Sequence, residues 1–319
     1  MILVRLDITN KIGTGHFRRM NALADYMAPI PFIFLVITDN QENAILRSGQ
    51  IFFTKKENEF RDIQTILDSH DIEILILDLL HYEKGYIKKI KKITGKKIVS
   101  FHEYNDTSKY SDLAINYNLF DGFENIQDPQ FLAGYKYIIF NDEIENYRAY
   151  NKEYVFVSFG GSDPTKLTYS FIERVANKLS NIKFLVHVGH FNSLNIDKIS
   201  LHDNVQIVLH PENLFKYMAG AKLAVVAGGN MMYELMYLKV PSVIIAHNKH
   251  QEMFALNASK YDCVDYFGKY NDIDYDDLKY IIQNKIHNHN HNHNNQCEIR
   301  IDNKGKERIK QSLLKVALL

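Results

Sequence analysis

A histidine in a glycine-containing turn is the first residue of this chain suited to proton transfer. His16 follows Gly13–Gly15 (GTG) and opens a stretch, His16–Met27, with helical apolar spacing. At a helix N-terminus the dipole disfavours the protonated imidazole, so a neutral ring there can accept a proton. The alternative is a histidine that caps the loop or bonds to the backbone. The stretch GTGHFR lacks the third glycine of the dinucleotide-binding pattern.

A second glycine turn is combined with polar residues at spacings that suit a nucleotide. The residues are Gly228, Gly229, Asn230, Glu234 and Gln251. They fall in a strand–turn–helix–strand pattern in which Asn230 is the expected N-cap, and free N–H groups at the helix start can bind phosphate. Glu234, about one turn further on, can reach back to a ribose, and Gln251 follows the second strand at the edge where α/β sheets bind ligands. The pattern also fits any βαβ unit with a glycine turn.

Polar residues follow another apolar strand in the first half of the chain. The strand predicted at Ile72–Leu77 ends at Asp78, and His81 and Tyr82 lie in the loop behind it. These three side chains are candidates to line a binding cleft. Asp78 equally suits the N-cap of the helix predicted at Glu83–Ile93.

A third glycine turn opens the second half. The apolar strand Tyr154–Phe159 runs directly into Gly160, Gly161 and Ser162 (within GGSDP), and a helical pattern follows at Thr165–Leu179. Glycine-rich turns between a strand and a helix present backbone N–H groups to phosphates. This turn is therefore a second candidate for an anion contact.

Alternating strand and helix patterns must position these residues. Strands are predicted at Met1–Ile8, Pro31–Thr38, Gln50–Thr54, Ile72–Leu77, Lys97–Phe101, Ala114–Tyr117, Ala133–Phe140, Tyr154–Phe159, Lys183–Val188, Val205–Leu209, Leu223–Ala227, Val240–Ala246 and Val264–Phe267. Helices are predicted at His16–Met27, Ala44–Ser48, Phe60–Ser69, Glu83–Ile93, Thr165–Leu179, Glu212–Ala219, Met231–Leu238, Tyr275–Lys285 and Lys306–Leu318.

This repetition predicts an α/β protein with two doubly wound, Rossmann-like domains that face a cleft. The polar segment Asn141–Lys152 lacks apolar periodicity and is the expected linker. We expect an N-terminal domain at residues 1–147, a C-terminal domain at 148–302, and a C-terminal helix within 303–319 that packs back toward the N-terminal domain.

Composition limits the function classes. The 319 residues are 46% apolar, and the 38 basic side chains balance 38 acidic ones, so there is no electrostatic case for a nucleic acid or an anionic membrane. No apolar run approaches the length of a transmembrane helix, and the opening residues, with Arg5 and Asp7, read as a strand. Cys263 and Cys297 fit neither metal nor disulfide spacing, which suggests a reducing, cytoplasmic compartment.

One segment is of low complexity. His287–Asn295 alternates histidine and asparagine. Its histidines can bind a metal weakly, but a disordered polar insertion in a surface loop is the simpler expectation. No dedicated metal cluster or cofactor motif is visible elsewhere, and none is expected.

Three motifs together resemble one enzyme family. IGTGHFRRMNALA (Ile12–Ala24), VSFGGSDPTKLT (Val157–Thr168) and AGGNMMYELMYLKVPSVII (Ala227–Ile245), followed by Gln251, are similar to the UDP-2,4-diacetamido-2,4,6-trideoxy-β-L-altropyranose hydrolases of pseudaminic acid synthesis and to related spore-coat polysaccharide proteins. The three motifs occur in order over nearly the whole chain. The family in turn is similar to the enzyme that transfers N-acetylglucosamine to make lipid II.

The resemblance implies a two-domain glycosyltransferase-B fold that uses a UDP-sugar as substrate. It implies that the C-terminal domain holds UDP, with Glu234 on the ribose, and that His16 is the catalytic residue that activates water at the anomeric carbon. The residues implied near the diphosphate are Gly160, Gly161, Ser162, Gly228, Gly229 and Asn230. The residues implied elsewhere in the substrate site are Gly13, Gly15, Arg19, Asp78, Tyr82 and Gln251.

The sequence departs from the family at three positions. Asn230 stands where the family usually has Ser or Thr, Met20 stands where Cys is common, and DLLHYE after Asp78 differs from a D-x-Y pattern. The resemblance therefore leaves three readings. The first is a hydrolase that releases UDP and a free amino or deoxy sugar for nonulosonic acid or surface polysaccharide synthesis. The others are a transferase of the same fold and a non-catalytic sugar-nucleotide-binding module.

Overall fold

The computed structural model describes residues 1–9, 12–39, 41, 49–101, 108–118, 130–148, 152–189, 199, 201–209, 211, 213–291 and 301–318. The chain forms two compact units. The first unit comprises Met1–Asn141 together with Asp302–Leu319, and the second unit comprises Asp142–Ile301. The helix predicted at Ala44–Ser48 lies outside the described residues.

The first unit is built on a sheet of seven parallel strands. The strands are β1 (Ile2–Ile8), β2 (Phe32–Thr38), β3 (Gln50–Thr54), β4 (Ile74–Asp78), β5 (Lys97–Phe101), β6 (Leu113–Asn116) and β7 (Phe131–Ala133). Their order in the sheet is β3-β2-β1-β4-β5-β6-β7. The helices of this unit are α1 (Gly15–Met27), α2 (Glu59–Ser69), α3 (Tyr86–Thr94) and, from the end of the chain, α9 (Gly305–Leu318).

The second unit is built on a sheet of six parallel strands in the order β10-β9-β8-β11-β12-β13. The strands are β8 (Tyr154–Ser158), β9 (Phe184–Val188), β10 (Val205–Leu209), β11 (Ala221–Val226), β12 (Ser242–Ala246) and β13 (Val264–Lys269). The helices are α4 (Leu167–Arg174), α5 (Leu214–Ala219), α6 (Asn230–Tyr237), α7 (Lys249–Ala258) and α8 (Tyr275–His291). No helix within the described ranges is both long and apolar enough to cross a bilayer.

Both sheets are the doubly wound type predicted from the sequence. Strands buried on both faces read as near-continuous apolar runs, as in β4 (ILILD), whose residues are all buried. Strand order reverses between β1 and β4 in one sheet and between β8 and β11 in the other. Open α/β sheets bind ligands beyond the carboxyl ends of the strands at such a reversal. Each unit therefore has one topologically favoured binding position.

The charged residue Arg5 lies within the largely apolar strand β1 and is buried there. Arg5 is 1% exposed, and its Nε lies 2.5 Å from Glu59 Oε1 at the start of α2. The Tyr86 hydroxyl donates to the same carboxylate oxygen at 2.6 Å. A buried arginine is tolerated only with such partners, so this network fixes α2 and α3 against β1.

Several local predictions are corrected by the structure. The strand predicted at Ala133–Phe140 is limited to its first residue by Gly134, whose φ of +94° breaks the extended chain before a 3-10 turn. The helix predicted at Thr165–Leu179 is shorter, Leu167–Arg174, followed by a 3-10 turn. Helix α7 has no counterpart among the predicted helices.

Three further differences concern single residues and the polar tract. The N-cap of α6 is Gly229 and not Asn230, which is the first helical residue. Helix α8 continues through His291, where a disordered insertion was expected, whereas residues 292–295 of that tract lie outside the described residues. Cys263 is disulfide-bonded, against the expectation of no disulfide.

Candidate functional site

Side chains from α1 and β4 meet at the strand-order reversal of the first unit. His16 is the second residue of α1, and Arg19 lies one turn later on the same face. Asp78 is the last residue of β4 and therefore points its carboxylate toward the start of α1. His16 Nδ1 lies 2.9 Å from Asp78 Oδ1, and Arg19 Nε lies 2.7 Å from Asp78 Oδ2. Arg19 also contacts Oδ1 through Nη2, so the arginine holds both carboxylate oxygens.

Burial and charge make Asp78 a permanent anion in this cluster. Burial by itself raises the pKa of Asp78, but the charge of Arg19 and the hydrogen bonds from His16 and Arg19 outweigh it, and the pKa is lowered. Burial lowers the pKa of Arg19, and the Asp78 carboxylate more than reverses this. The pair is therefore ionised throughout the physiological range.

The imidazole keeps an exposed surface, whereas the carboxylate that it contacts does not. The side chain of Asp78 is 0% exposed, and those of His16 and Arg19 are 12% and 10% exposed. Nδ1 of His16 is turned to the buried pair, 2.9 Å from Asp78 Oδ1 and also 2.9 Å from Arg19 Nη2. Hence Nε2 is the ring atom available to a ligand.

The two neighbours of Nδ1 allow two tautomers of His16. A carboxylate only accepts and a guanidinium only donates. If Nδ1 carries the hydrogen, it donates to Asp78 and leaves Nε2 with a lone pair that can take a proton. If Nδ1 is bare, it accepts from Arg19 and Nε2 carries the hydrogen. The protonated ring donates to Asp78 from Nδ1, so the carboxylate stabilises the cation that forms when Nε2 accepts a proton.

Tyr117 completes the cluster and was not among the predicted residues. Arg19 Nη1 contacts the Tyr117 hydroxyl, and the guanidinium carbon lies 5.2 Å from the centre of its ring. Burial raises the pKa of Tyr117. Its position directly after β6 is the only sequence signal for it, since nothing in the local pattern links it to Arg19.

The other predicted residues of the first unit lie close by in structural roles. Tyr82 donates its hydroxyl to main-chain oxygens at the ends of β4 and β5, 2.8 Å from Leu77 O and 3.2 Å from Phe101 O. Gly13 has a φ of +77° and bonds back to Thr9 O at 2.7 Å, and Gly15 begins α1. Asp78 is not the N-cap of the next helix, because α3 begins at Tyr86 after an N-cap at Gly85.

The glycine turn after β8 is held in an unusual backbone conformation. Gly160, Asp163 and Lys166 have φ values of +88°, +40° and +56°. Positive φ costs about 1 to 3 kcal/mol at a non-glycine residue and persists only where the surroundings impose it. Asp163 is 3% exposed, and its carboxylate accepts from the N–H groups of Leu167 and Thr168, both at 2.9 Å. The N-terminus of α4 is thus occupied by this chain's own carboxylate.

The two glycines before α6 have different surroundings. A Cβ on Gly228 would lie 2.7 Å from Gln251 O, so this glycine permits close packing of α7. A Cβ on Gly229 would meet nothing within 4 Å, and Gly229 has no side chain with which to cap α6. The N-cap residue of α6 therefore supplies no capping side chain, whereas the N–H groups at the start of α4 donate to Asp163.

The remaining predicted residues of the second unit surround this position. Asn230 is the first residue of α6, Glu234 lies half-buried one turn later, and Ser162 follows the two glycines of the β8 turn. Gln251 lies in the first turn of α7, where its Oε1 accepts from His247 N at 2.9 Å. The reversal between β8 and β11 brings the turns that contain Gly160–Ser162 and Gly228–Asn230 to the same edge of one sheet.

His247 is a further residue that the sequence analysis did not identify. It follows β12, its side chain is 5% exposed, and both ring nitrogens contact the turn after β8. Among the described residues, no group of three or more His, Cys, Asp or Glu side chains is placed to hold a metal ion.

Solved structures define the class of fold. MurG of Acinetobacter baumannii superimposes with a TM-score of 0.62 at 12% identity, covering 100% of this chain and 99% of that one. A UDP-GlcNAc 2-epimerase of Neisseria meningitidis, bound to UDP-GlcNAc, superimposes with a TM-score of 0.60 at 13% identity over 99% and 100%. The glycosyltransferase SpnP, described as the spinosyn forosaminyltransferase, gives 0.65 at 11% identity over 99% of each chain. The chain has the glycosyltransferase-B type of fold.

Two proteins are similar to this chain in sequence over most of its length. The chain is 23% identical over 266 residues to the UDP-2,4-diacetamido-2,4,6-trideoxy-β-L-altropyranose hydrolase of Campylobacter jejuni, covering 80% of this chain and 94% of that protein. It is 25% identical over 259 residues to the spore coat polysaccharide biosynthesis protein SpsG of Bacillus subtilis, covering 75% of each. The resemblance stated from the motifs is thereby confirmed.

A third relative is longer than this chain. The uncharacterized protein MJ1062 of Methanocaldococcus jannaschii is 25% identical over 280 residues, which cover 78% of this chain and 56% of that protein. The chain thus matches little more than half the length of this relative. No model of a known protein family matches the chain.

Proposed function

We propose that this protein is an enzyme that hydrolyses a UDP-linked amino or deoxy sugar at the anomeric carbon, releasing UDP and the free sugar. The observation that carries the proposal is the contact of His16 Nδ1 with Asp78 Oδ1 at 2.9 Å, at the strand-order reversal of the first unit. The similarity to a UDP-sugar hydrolase over 80% of the chain supports the substrate class. The similarity to SpsG supports a place in polysaccharide synthesis.

The proposal assigns the nucleotide to the second unit. The start of α6 offers N–H groups and a positive dipole end to a diphosphate, and Gly229 leaves space for it. The β8 turn adds backbone N–H groups of Gly160, Gly161 and Ser162. Glu234, one turn into α6, is the proposed ribose contact. The start of α4 has a smaller part, because Asp163 occupies it.

His16 is the proposed base. Nε2 takes a proton from water while the water oxygen forms a bond to the anomeric carbon. The bond between that carbon and the oxygen of the β-phosphate breaks, and its electron pair leaves with UDP. Asp78 is a positioning residue in this scheme: it holds the tautomer with a hydrogen on Nδ1 and stabilises the imidazolium that results. A positioned base contributes about 10² to 10⁴-fold in rate.

A transferase that passes the sugar to an acceptor is the second candidate. Its specific support is the fold shared with the glycosyltransferases MurG and SpnP. An acceptor hydroxyl and water need the same base, so the His16 cluster serves both reactions. The hydrolase has precedence because the one activity named among the sequence relatives above is that of a UDP-sugar hydrolase.

The test is turnover of a panel of UDP-sugars, including diacetamido-trideoxy hexoses, in oxygen-18 water, followed by mass spectrometry. We expect the label in the free sugar and none in UDP. We expect His16→Ala to lower turnover about 10² to 10⁴-fold while UDP affinity is kept. Label in the nucleotide would show attack at phosphorus and would contradict the role of His16. UDP binding without turnover of any panel member would favour the transferase or a binding module, and an acceptor screen would separate those two.

A further inference from the structure

The imidazole of His247 joins two loops of the second unit. Its Nδ1 lies 2.7 Å from Thr165 Oγ1, and its Nε2 lies 2.8 Å from Phe159 O. Both partners belong to the turn after β8, whereas His247 itself follows β12. A third group of that turn, Asp163 Oδ1, lies 4.0 Å from Nε2. The ring therefore spans the turn from its first residue to its last.

The partners define which tautomer a neutral ring adopts. A main-chain oxygen only accepts, so Nε2 carries a hydrogen and donates it to Phe159 O. Nδ1 is then the lone-pair nitrogen of the neutral ring and accepts from the Thr165 hydroxyl. The neutral imidazole thus satisfies both neighbours at once, and the side chain is 5% exposed, so both bonds are shielded from water.

The turn needs such support because its conformation is strained. Positive φ at Gly160, Asp163 and Lys166 places three residues of one short segment in the left-handed region. The turn also packs tightly against Gly189, because a Cβ on Gly189 would lie 2.5 Å from Gly160 O and from Gly161 Cα. Asp163 fixes the end of the turn next to α4. His247 bonds to both ends of the turn, at Phe159 O and at Thr165 Oγ1.

The same residue is connected to the start of α6. His247 N donates to Gln251 Oε1 at 2.9 Å, and the main-chain oxygen of Gln251 is the atom against which Gly228 packs. One chain of contacts therefore runs from the β8 turn through His247 and Gln251 to the glycines before α6. These are the two turns to which the diphosphate is assigned above.

We propose that His247 is a positioning residue for the diphosphate, which holds the Gly160–Thr165 turn in the conformation that presents its N–H groups to the anion. This inference rests on the proposed function. The inference distinguishes the two parts of UDP. His247 contributes to the affinity for the diphosphate and does not contribute to the affinity for the uridine.

The experiment compares binding of UDP and of uridine to the full chain by calorimetry. We expect His247→Ala to weaken UDP binding about tenfold, the equivalent of one lost hydrogen bond, and to leave uridine binding unchanged. With turnover as readout, KM should rise while kcat stays near that of the wild type. His250→Ala is the matched control, because His250 packs on Phe254 within α7 with ring centres 4.1 Å apart, and it should change neither ligand.

Variants at the other end of the contact keep the test decisive if His247→Ala folds poorly. Thr165→Val removes the hydroxyl and should reproduce the selective loss of UDP affinity. Thr165→Ser keeps a hydroxyl and should bind UDP as tightly as the wild type. The double variant should bind UDP no more weakly than His247→Ala, since that variant already lacks the contact with Thr165 Oγ1 that Thr165→Val removes.

Two results would overturn this inference and leave the proposed function standing. The first is that His247→Ala or Thr165→Val binds UDP as tightly as the wild type does. The second is that a variant loses affinity for UDP and for uridine equally, which indicates general destabilisation. A wild-type protein that binds no UDP is a different outcome, since it removes the proposed function and this inference together.

Discussion

Asp78 determines what His16 can do, because it is the only carboxylate among the described residues that contacts the imidazole. We expect Asp78→Asn to lower kcat about 10² to 10⁴-fold, since an amide can also stabilise the wrong tautomer and leaves the imidazolium without a counter-ion. UDP affinity should stay the same. Steady-state kinetics with UDP titration measures both.

Non-additivity distinguishes this role from a general loss of stability. Residues that act as a unit show no further loss when the second is removed. The variant with both His16→Ala and Asp78→Asn should therefore be no slower than His16→Ala. A further tenfold loss in the double variant would contradict the positioning role.

The same carboxylate makes a pH-dependent contribution to stability. The pKa of Asp78 is lowered in the folded state, where Arg19 and His16 outweigh the effect of burial. The unfolded chain therefore binds the proton more tightly than the folded one, and the stabilisation is complete above the ordinary carboxyl pKa of about 4 and is lost as pH falls through the lower folded value. Urea unfolding of wild type and Asp78→Asn should show a constant difference from pH 6 to 8, which shrinks below about pH 4. A difference that grows on acidification would be inconsistent with this sign.

At the residue scale the sequence identified the reactive groups better than their partners. Asp78 and the glycines of the second half are visible because they follow apolar strands directly, and His16 is visible because it follows a glycine turn and opens a helical pattern. Tyr117 and His247 are not, because each acts through a neighbour from a different strand end, and such a contact exists only after the strand order is known. Asp78 was assigned to a loop facing the sugar, whereas its carboxylate is wholly buried on Arg19 and His16.

At the element scale, the start of α6 offers a matched pair of substitutions. Gly229→Ala should fold normally, since its φ of −142° suits any residue and no atom lies within 4 Å of the added Cβ, yet it should weaken UDP binding by intruding on the diphosphate. Thermal unfolding and UDP titration measure the two effects separately.

Gly228→Ala is the counterpart, one residue earlier. Its Cβ would lie 2.7 Å from Gln251 O, so α7 must shift and we expect a loss of about 1 to 3 kcal/mol in stability. If Gly229→Ala were the less stable of the two, the start of α6 would be packed rather than open, and its assignment to the diphosphate would fail.

The elements that could be predicted are those with strong periodicity. Alternating apolar strands and amphipathic helices predict the doubly wound α/β class that both sheets show, and the order of the strands comes from the structure. Helix α7 was not predicted from the sequence, because its first turn, Lys249–Glu252, is polar and only Phe254, Ala255 and Ala258 are buried. The strand predicted at Ala133–Phe140 was too long, because YKYIIF consists mostly of strand-forming residues. The positive φ of Gly134 ends the extended backbone before them.

At the scale of the whole molecule, the last helix belongs to the first unit. Gly305 at its start lies against Ile138 O, where a Cβ would approach to 1.9 Å, and Arg308 Nη1 donates to Lys136 O at 2.8 Å. Ile309, Leu313 and Val316 of α9 are buried. The sequence analysis expected a C-terminal helix that packs back toward the N-terminal domain, although the local pattern of α9 predicts only the helix and not the residues that it contacts.

Removal of residues 302–319 should unfold the first unit selectively. Burial of three large apolar side chains contributes about 1.5 to 3 kcal/mol each, a large part of the 5 to 15 kcal/mol typical of a domain. Hydrogen exchange followed by mass spectrometry should show lost protection in residues 1–141 and retained protection in the sheet of the second unit, whose core is its own. Equal loss in both units would contradict this division.

The return of α9 also has a consequence for the order of events on the ribosome. All of the second unit, Asp142–Ile301, is synthesised before α9 exists. Domains generally fold as units while the chain emerges, so the second unit can close its core first. The first unit, although its strands are synthesised before those of the second unit, must wait for α9. Of the two units, the one whose sheet is made first is therefore the one that is completed second.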